Sequence, residues 1–178
     1  MTAAGWMPPA VAKEFATILP EMDDWLWAVT REIDAHPITE FRGHLKHSGF
    51  LRLYKNSVRL TAKGRSALAD SKELWGLLIA DMLPDDGSFN SSLSAVVLLH
   101  AATGPGRLDV YGIARTMTEL GWRGSGGEPL TAEAVYPMWT WLWDVLGNVG
   151  RVERPQRRDR SLSRPAIALV RDALLVEV

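Results

Sequence analysis

The predicted fold is decided by one stretch of the sequence, GFLRLYKNSVRLTAKGRSALA at residues 49–69. Apolar and polar residues alternate along 51–54 and again along 57–60, the period of two that is typical of strands with one packed face. Lys55-Asn56 fills the gap between them, and asparagine tolerates the positive φ of a tight turn. We therefore predict a β-hairpin in this stretch.

A helix is predicted on each side of the hairpin. Thr61 offers a side-chain oxygen that can cap a helix over about residues 62–69, with Leu68 facing back to the hairpin. Before the hairpin, apolar residues at helical spacing predict a helix over residues 37–47. This order is typical of a winged helix, a scaffold that serves nucleic-acid binding and plain protein–protein contact alike.

The bulk composition bounds the class of protein. A chain of 178 residues with 47% hydrophobic residues can bury a core, and its lack of cysteine excludes disulfides and cysteine-zinc sites. No apolar run reaches the roughly 18 residues of a membrane span, and no charged-then-apolar leader is present. We therefore expect a soluble cytoplasmic protein with no membrane partner.

Charge is segregated along the chain, although the formal net charge is only −1. Residues 37–65 carry seven Lys or Arg and one acid, and residues 150–164 carry six Arg and two acids. Both blocks fall on predicted hairpins and their flanks. The remaining residues are acidic overall, so the distribution of charge indicates where a polyanion would bind.

The rest of the first half is predicted to be helical. One helix opens near residue 8 and ends at Pro20, and a second runs over about residues 23–35. The inward residues of the second helix are Trp25, Leu26, Val29 and Ile33. A further helix, capped by Ser71, is predicted over residues 71–83.

The second half repeats this plan. Three helices are predicted, and their caps are Asn90 or Ser91, Asp109 and Thr131. A second hairpin follows between residues 149 and 162, and a closing helix covers residues 163–175. Leu162-Ser163 thus occupies the same place in its half as Leu60-Thr61 does in the first half.

The predicted fold class is mainly α with small β-hairpins, an α+β chain of two tandem winged helix-turn-helix units. The acidic, turn-forming residues 84–88 are interpreted as the linker. The first unit, with its trailing helix, then covers residues 1–84, and the second, diverged unit covers residues 88–178.

Basic residues lie on both the predicted recognition helix and the hairpins. In a winged helix these positions can contact base edges and phosphates. The candidate DNA-binding residues are Arg42, Lys46, His47, Arg52, Lys55 and Arg59 in the first unit and Arg154, Arg157, Arg158 and Arg160 in the second.

The helix before the second hairpin lacks the chemistry for DNA. No Lys or Arg lies between Arg123 and Arg151, and Asp144 would repel phosphates. We expect this helix to pack against a protein partner, a second copy of the chain or the other unit. Trp141 and Trp143 are its candidate partner-binding residues, because tryptophan is enriched at interfaces.

The sequence contains no convincing catalytic or metal-binding constellation. His36, Glu40, His44 and His47 share one helical face, but ligands spread over three turns cannot converge on one ion. The glycine-rich run at residues 124–127 lacks the lysine of a phosphate-binding loop. We therefore expect no metal, no cofactor and no enzymatic activity.

Two resemblances support the winged-helix interpretation. The run LTAKGRSALAD after the basic hairpin resembles the end of the wing in MarR-like and PadR-like bacterial regulators. The runs GWMPPAVAKEF, LWGLLIADMLP and ELGWR resemble a poorly characterised actinobacterial family associated with plasmids. This likeness implies tandem winged helices and a role beside a mobile element, and it supplies no catalytic residues.

Two functions are carried forward from the sequence. The first is binding of double-stranded DNA, as a transcriptional regulator or a mobile-element accessory factor. The alternative is a non-enzymatic adaptor that binds a protein through its Trp-rich second unit, with the basic hairpins serving solubility alone.

Overall fold

The structure is a computed structural model that describes residues 2, 5–84, 86–104, 109–150 and 162–175, except for the side chains of residues 24 and 137–141. Its backbone contacts divide the chain into two compact units, Met1–Leu77 and Leu78–Val178. The described residues are mainly helical with one small antiparallel sheet, which confirms the predicted α+β class. Within these residues no helix is long and apolar enough to cross a bilayer.

The elements of the described residues follow the chain in a simple order. They are α1 (Pro9–Ile18), 3₁₀ turns at Pro20–Asp24 and Glu32–Asp34, α2 (His36–His47), β1 (Leu51–Tyr54), β2 (Ser57–Leu60), α3 (Ala62–Ala69), α4 (Ser71–Met82), α5 (Phe89–Thr103), α6 (Val110–Glu119), α7 (Ala132–Asn148) and α8 (Arg164–Leu175).

The hairpin has the register that its alternating pattern predicts. Strands β1 and β2 pair antiparallel, with Leu51 opposite Leu60 and Tyr54 opposite Ser57. Lys55 and Asn56 both have positive φ, 45° and 57°. Two consecutive left-handed residues are the geometry of a type I′ turn, whose twist matches that of the strands. The predicted turn is confirmed.

Thr61 connects the hairpin to α3 through both roles of its hydroxyl group. The hydroxyl donates to the carbonyl of Gly49 at 2.6 Å and accepts the amide of Gly64 at 3.0 Å, so the predicted cap is confirmed. Gly64 lies against the chain before β1, because a Cβ at this position would be 2.2 Å from the carbonyl oxygen of Phe50. Only glycine allows this approach of helix and strand.

Two details of the helices after the hairpin differ from the prediction. Leu68 is 78% exposed and does not face the hairpin, because Gly64 and Ala67 form the buried side of α3. Small residues are needed on that side since the backbone of Phe50 lies so close. The cap of α4 is Asp70 and not Ser71, because the Asp70 carboxylate accepts the amide of Lys72 at 2.8 Å.

The core of the first unit lies between α1, the 3₁₀ turns and α2. Met7, Leu19, Met22, Ala35 and Ile38 are its buried residues. Aromatic and aliphatic side chains from the same elements pack around them, and these are Phe15, Ala16, Trp25, Val29 and Phe41. This core fixes α2 against the N-terminal part of the unit.

The predicted helix over residues 23–35 is wrong. Two short 3₁₀ turns flank residues 25–31, which are not helical, and Leu26 and Ile33 are mostly exposed. A helix with Trp25 and Val29 inward would also turn Ile33 inward. Instead the fully buried residues of this segment are Glu32 and Ala35, and Ile33, between them, is 53% exposed.

Glu32 is buried because it pairs with Arg42 of α2. The Nε of Arg42 lies 2.6 Å from Oε1 of Glu32, and the amide of Met7 donates to Oε2 at 2.6 Å. Arg42 also donates through Nη1 to the carbonyl of Gly5 at 3.1 Å. Thr39 donates its hydroxyl to the carbonyl of Glu32 at 3.1 Å. One ion pair therefore connects the N-terminal segment, the second 3₁₀ turn and α2.

The second unit is a helical bundle arranged around α5. Helix α5 packs against α6, α7 and α8, and α6 packs against α7. The largest fully buried side chains of this unit include Leu93, Leu98, Ile113, Met117, Leu142, Leu146 and Leu169.

Asp109 and Thr131 cap α6 and α7 as predicted. The cap of α5 is Ser88 and not Asn90 or Ser91, because the Ser88 hydroxyl accepts the amide of Ser91 at 3.1 Å.

The start of α8 repeats the capping arrangement of Thr61. The Ser163 hydroxyl donates to the carbonyl of Val149 at 3.1 Å and accepts the amide of Ala166 at 3.2 Å. In both units a hydroxyl at the helix cap thus reaches back to a carbonyl just after the preceding long helix. Residues 151–161, where the second hairpin is predicted, lie outside the described residues.

We expect Gly64→Ala to destabilise the protein by about 2 kcal/mol, because the new methyl group would collide with the Phe50 backbone. Hydrogen exchange of the amides from Gly49 to Gly64 will show faster local opening. Gly43→Ala is the matched control, since a Cβ there meets nothing within 4 Å and should stabilise α2 by about 0.5–1 kcal/mol. Equal effects of the two substitutions would contradict the close-approach explanation.

Arg42→Ala should lower the free energy of unfolding by about 3–5 kcal/mol, since it leaves the buried Glu32 carboxylate without its partner. Chemical denaturation will measure the change. Arg31→Ala removes an exposed arginine that pairs with Asp34, and its effect should be much smaller. If Glu32→Gln rescues Arg42→Ala, the loss comes from the unpaired charge and not from lost packing of the arginine.

Candidate nucleic-acid interface

The outer face of the hairpin carries three cations around one aromatic ring. Arg52 and Arg59 are directly opposite each other across the two strands, and Tyr54 lies two residues from Arg52 on the same face. The guanidinium carbons of Arg52 and Arg59 lie 5.8 and 4.9 Å from the centre of the Tyr54 ring, and the Nζ of Lys55 lies 5.4 Å from it. We call Arg52, Tyr54, Lys55 and Arg59 the cationic hairpin face.

The electrostatics of the cationic hairpin face are unfavourable in the free protein. Like charges directly opposite on paired strands are destabilising, because their Cβ atoms are only about 5 Å apart. Within the described part of the chain, Arg52, Lys55 and Arg59 form no ion pair with a carboxylate. Their compensation is the ring of Tyr54, whose negative face attracts cations. The face is therefore exposed and positively charged.

The positive charge continues on both sides of the hairpin. From Lys46 to Arg65 the sequence holds six Lys or Arg and no acid. Lys46 and His47 are exposed in the last turn of α2, where the helix dipole favours cations. On α3, the Nζ of Lys63 lies 4.9 Å from the centre of the Phe50 ring, and Arg65 donates through Nη1 to the carbonyl of Leu60 at 3.0 Å.

Arg42 does not belong to this surface, which corrects its predicted role in DNA binding. Its side chain is only 14% exposed and is engaged with Glu32. Its place in the sequence carried a signal for this, since Arg42 is four residues after Ile38 and three before Leu45, on the apolar side of α2. A buried arginine needs a carboxylate to compensate its charge, and Glu32 provides that carboxylate.

The remaining exposed side of α2 is mixed in charge. The Nε2 of His36 lies 3.3 Å from a carboxylate oxygen of Glu40. Gly43 is exposed and contributes no side chain at the middle of the helix. Only Lys46 and His47, at the end of the helix, remain from the predicted set as exposed groups on α2.

The inner face of the hairpin is less packed than its pattern predicts. Leu51 and Val58 are half-buried, whereas Leu53, next to the turn, is 54% exposed. The buried contact of this region is made by Phe50, one residue before β1. The hairpin is thus held at its base and projects its turn into solvent.

The candidate residues of the second unit fall into two groups. Trp143 is 7% exposed and belongs to the core, so its side chain offers little surface for the predicted partner-binding role. Its helical position, one residue after Leu142, places it beside the buried stripe of α7. The side chain of Trp141 and the residues Arg154, Arg157, Arg158 and Arg160 lie outside the described residues.

The glycine-rich loop after α6 closes on a carboxylate. A Cβ at Gly124 would lie 1.9 Å from Oε1 of Glu128, and one at Gly126 would lie 2.7 Å from Oε2. The amide of Gly124 donates to the Glu128 carbonyl at 2.9 Å. A carboxylate folded over these glycines would repel a phosphate, so this loop is a compact turn and not a phosphate cradle.

Tyr54 is the functional residue that sequence reasoning missed. Its signal is the hairpin register itself, which places a tyrosine at position i+2 from Arg52 on the polar face. Lys63 and Arg65 were counted in the basic block but were not assigned to the surface.

No family model, curated protein or solved structure matches the chain. The proposed function therefore rests on the geometry and charge of the cationic hairpin face.

Tyr54→Leu should destabilise the hairpin by about 1 kcal/mol, because it removes the ring that attracts three mutually repelling cations. Tyr54→Phe keeps the ring and should have a much smaller effect. The measurement is hydrogen exchange of the strand amides at low salt. The role assigned to the ring is wrong if the phenylalanine variant opens as readily as the leucine variant.

Proposed function

We propose that the chain is a non-enzymatic DNA-binding protein of two tandem winged helix-turn-helix units, and that its first unit binds double-stranded DNA. The observation that carries this proposal is the cationic hairpin face. Three cations converge there on one exposed ring and have no carboxylate partner in the described residues. Duplex DNA presents a dense row of phosphates, which such a surface binds with release of counterions.

The scaffold part of the proposal is supported by the order of the elements. In the first unit a helix, a tight hairpin and a capped helix follow one another as α2, β1, β2 and α3. The hydroxyl groups of Thr61 and Ser163 make the same pair of hydrogen bonds in the two units. This repetition favours a common capping arrangement at Thr61 and Ser163.

The proposed contact residues are those of the predicted set that are exposed. In the first unit these are Lys46, His47, Arg52, Lys55 and Arg59, and Arg42 is removed. The four arginines predicted in the second hairpin remain part of the proposal. We further propose that the protein acts in the cytoplasm as a transcriptional regulator or as an accessory factor of a mobile element.

The adaptor alternative has lost one of its two residues. Trp143 is in the core of the second unit and is not available to a protein partner. The cationic hairpin face favours DNA binding, which is therefore the function proposed.

The proposal is tested by fluorescence anisotropy of a labelled duplex titrated with the protein at several salt concentrations. We expect a log-log salt slope near −4, since each neutralised phosphate contributes about −0.9. The triple variant Arg52→Gln, Lys55→Gln, Arg59→Gln should lose about three units of slope, one for each cation.

The matched control removes three exposed cations elsewhere, as Lys13→Gln, Lys72→Gln and Arg171→Gln. It changes the net charge by the same amount and should keep most of the slope. Absence of binding at low salt would refute the proposal. Equal losses in the two triple variants would show that net charge, and not the hairpin, holds the DNA.

A further inference from the structure

The residues that would read bases are missing from the helix that precedes the hairpin. In a winged helix this helix would enter the major groove, where Arg or Lys recognises guanine and Asn or Gln recognises adenine. Helix α2, HPITEFRGHLKH, contains no Asn or Gln and only one arginine, Arg42. That arginine is held by the buried carboxylate of Glu32.

The other polar residues in the middle of α2 contact neighbouring groups of the protein, and Gly43 has no side chain. Thr39 donates its hydroxyl to the carbonyl of Glu32, and Gly43 has no side chain. Glu40, which could accept from a cytosine amino group, lies 3.3 Å from His36 on the same helix. The remaining basic residues, His44, Lys46 and His47, all lie in the last turn next to the hairpin. Their position suits the DNA backbone beside the hairpin and not the middle of a groove.

The corresponding helix of the second unit has the same deficiency. Helix α7, AEAVYPMWTWLWDVLGN, contains no Lys, Arg, His or Gln, and its acids are Glu133 and Asp144. Its single asparagine, Asn148, donates its side-chain amide to the carbonyl of Asp144 at 2.7 Å. By sequence, the middle of α7 contains no Arg, Lys, Asn or Gln, and the one such residue in the middle of α2, Arg42, is engaged with Glu32.

The surroundings of Tyr54 bear on whether the hairpin would bind double or single strands. Proteins that hold single strands stack the bases on exposed aromatic rings. Tyr54 is 42% exposed, and the charged groups of Arg52, Lys55 and Arg59 lie within 5.8 Å of the centre of its ring, so a base that stacked on the ring would compete with these cations. The guanidinium groups themselves match the geometry of phosphate oxygens. The same cluster therefore favours the backbone of a duplex over unstacked bases.

We propose that the chain binds the sugar-phosphate backbone of double-stranded DNA without reading its base sequence. This inference rests on the DNA binding proposed above and specifies its ligand. The hairpin cations supply the affinity, and α2 and α7 position the units without base contacts. Such a protein would act by covering or organising a stretch of duplex, not by choosing an operator.

The test is competition for a labelled duplex by unlabelled DNA of the same length, at one salt concentration. The competitors are a GC-rich duplex, an AT-rich duplex, a mixed-sequence duplex and a single strand. We expect the duplex competitors to agree within about threefold, because one good base contact alone would give roughly tenfold discrimination. The single strand should compete at least about tenfold less well, since three cations compete with a base for the Tyr54 ring. Several rounds of selection from a random duplex pool should enrich no sequence.

A selected sequence that binds roughly tenfold tighter than the random pool would overturn this inference while leaving DNA binding intact. Tighter binding of the single strand would overturn it as well. If no DNA of any kind binds, the proposed function itself fails and the inference fails with it.

Gly43→Gln is a positive control for the assay, because it places an adenine-reading amide on the exposed middle of α2 without a steric conflict. If only this variant shows a sequence preference, the assay can detect base reading by α2, and the wild-type helix does not read bases.

Discussion

The buried pair of Glu32 and Arg42 is the interaction on which the first unit depends. A carboxylate removed from water is tolerated only when its charge and its lone pairs have partners, and here these are a guanidinium and the amide of Met7. The pair decides which side of α2 faces the core, since Arg42 must point inward. The segment that supplies Glu32 forms 3₁₀ turns at Pro20–Asp24 and Glu32–Asp34. The identity of the surface-exposed groups on α2 is thus a consequence of a core interaction.

The second constraint is the close approach of α3 to the base of the hairpin. The Thr61 hydroxyl and the missing side chain of Gly64 hold the first turn of α3 against Phe50 and Gly49. The strands are therefore fixed at their base, while the turn and the cations project outward. This arrangement explains how a two-stranded sheet, which is marginal alone, can present charges in a fixed geometry.

The parts of this structure that were predictable from sequence are those determined within a few residues. The hairpin turn at Lys55-Asn56 and the caps at Thr61, Asp109 and Thr131 follow from local backbone and side-chain chemistry. Leu68 was misplaced because its orientation depends on how close the backbone of Phe50 comes, which no periodicity reports.

Of the candidate site residues, those on the first hairpin were predictable from the sequence, whereas the exposure of Arg42 and Trp143 was not. Strand register brings Arg52, Tyr54 and Arg59 together, so alternation alone identified the cations. Arg42 and Trp143 were misassigned because their residue types are common at interfaces, while their positions adjoin the buried stripes of α2 and α7. An arginine can be buried when a carboxylate compensates its charge, and tryptophan is highly buried on average, so residue type alone did not decide the exposure of either residue.

The cationic hairpin face connects stability with function. Two arginines opposite each other cost free energy in the unbound protein, and an acid at position 59 would relieve that cost by pairing with Arg52. A polyanion that binds the folded hairpin provides the same relief from outside, because any ligand of the folded state stabilises it. The repulsion between Arg52 and Arg59 is therefore largest where no ligand is present and smallest where phosphates lie between them. A polyanion that lay between the two arginines would therefore stabilise this face beyond the contribution of the Tyr54 ring.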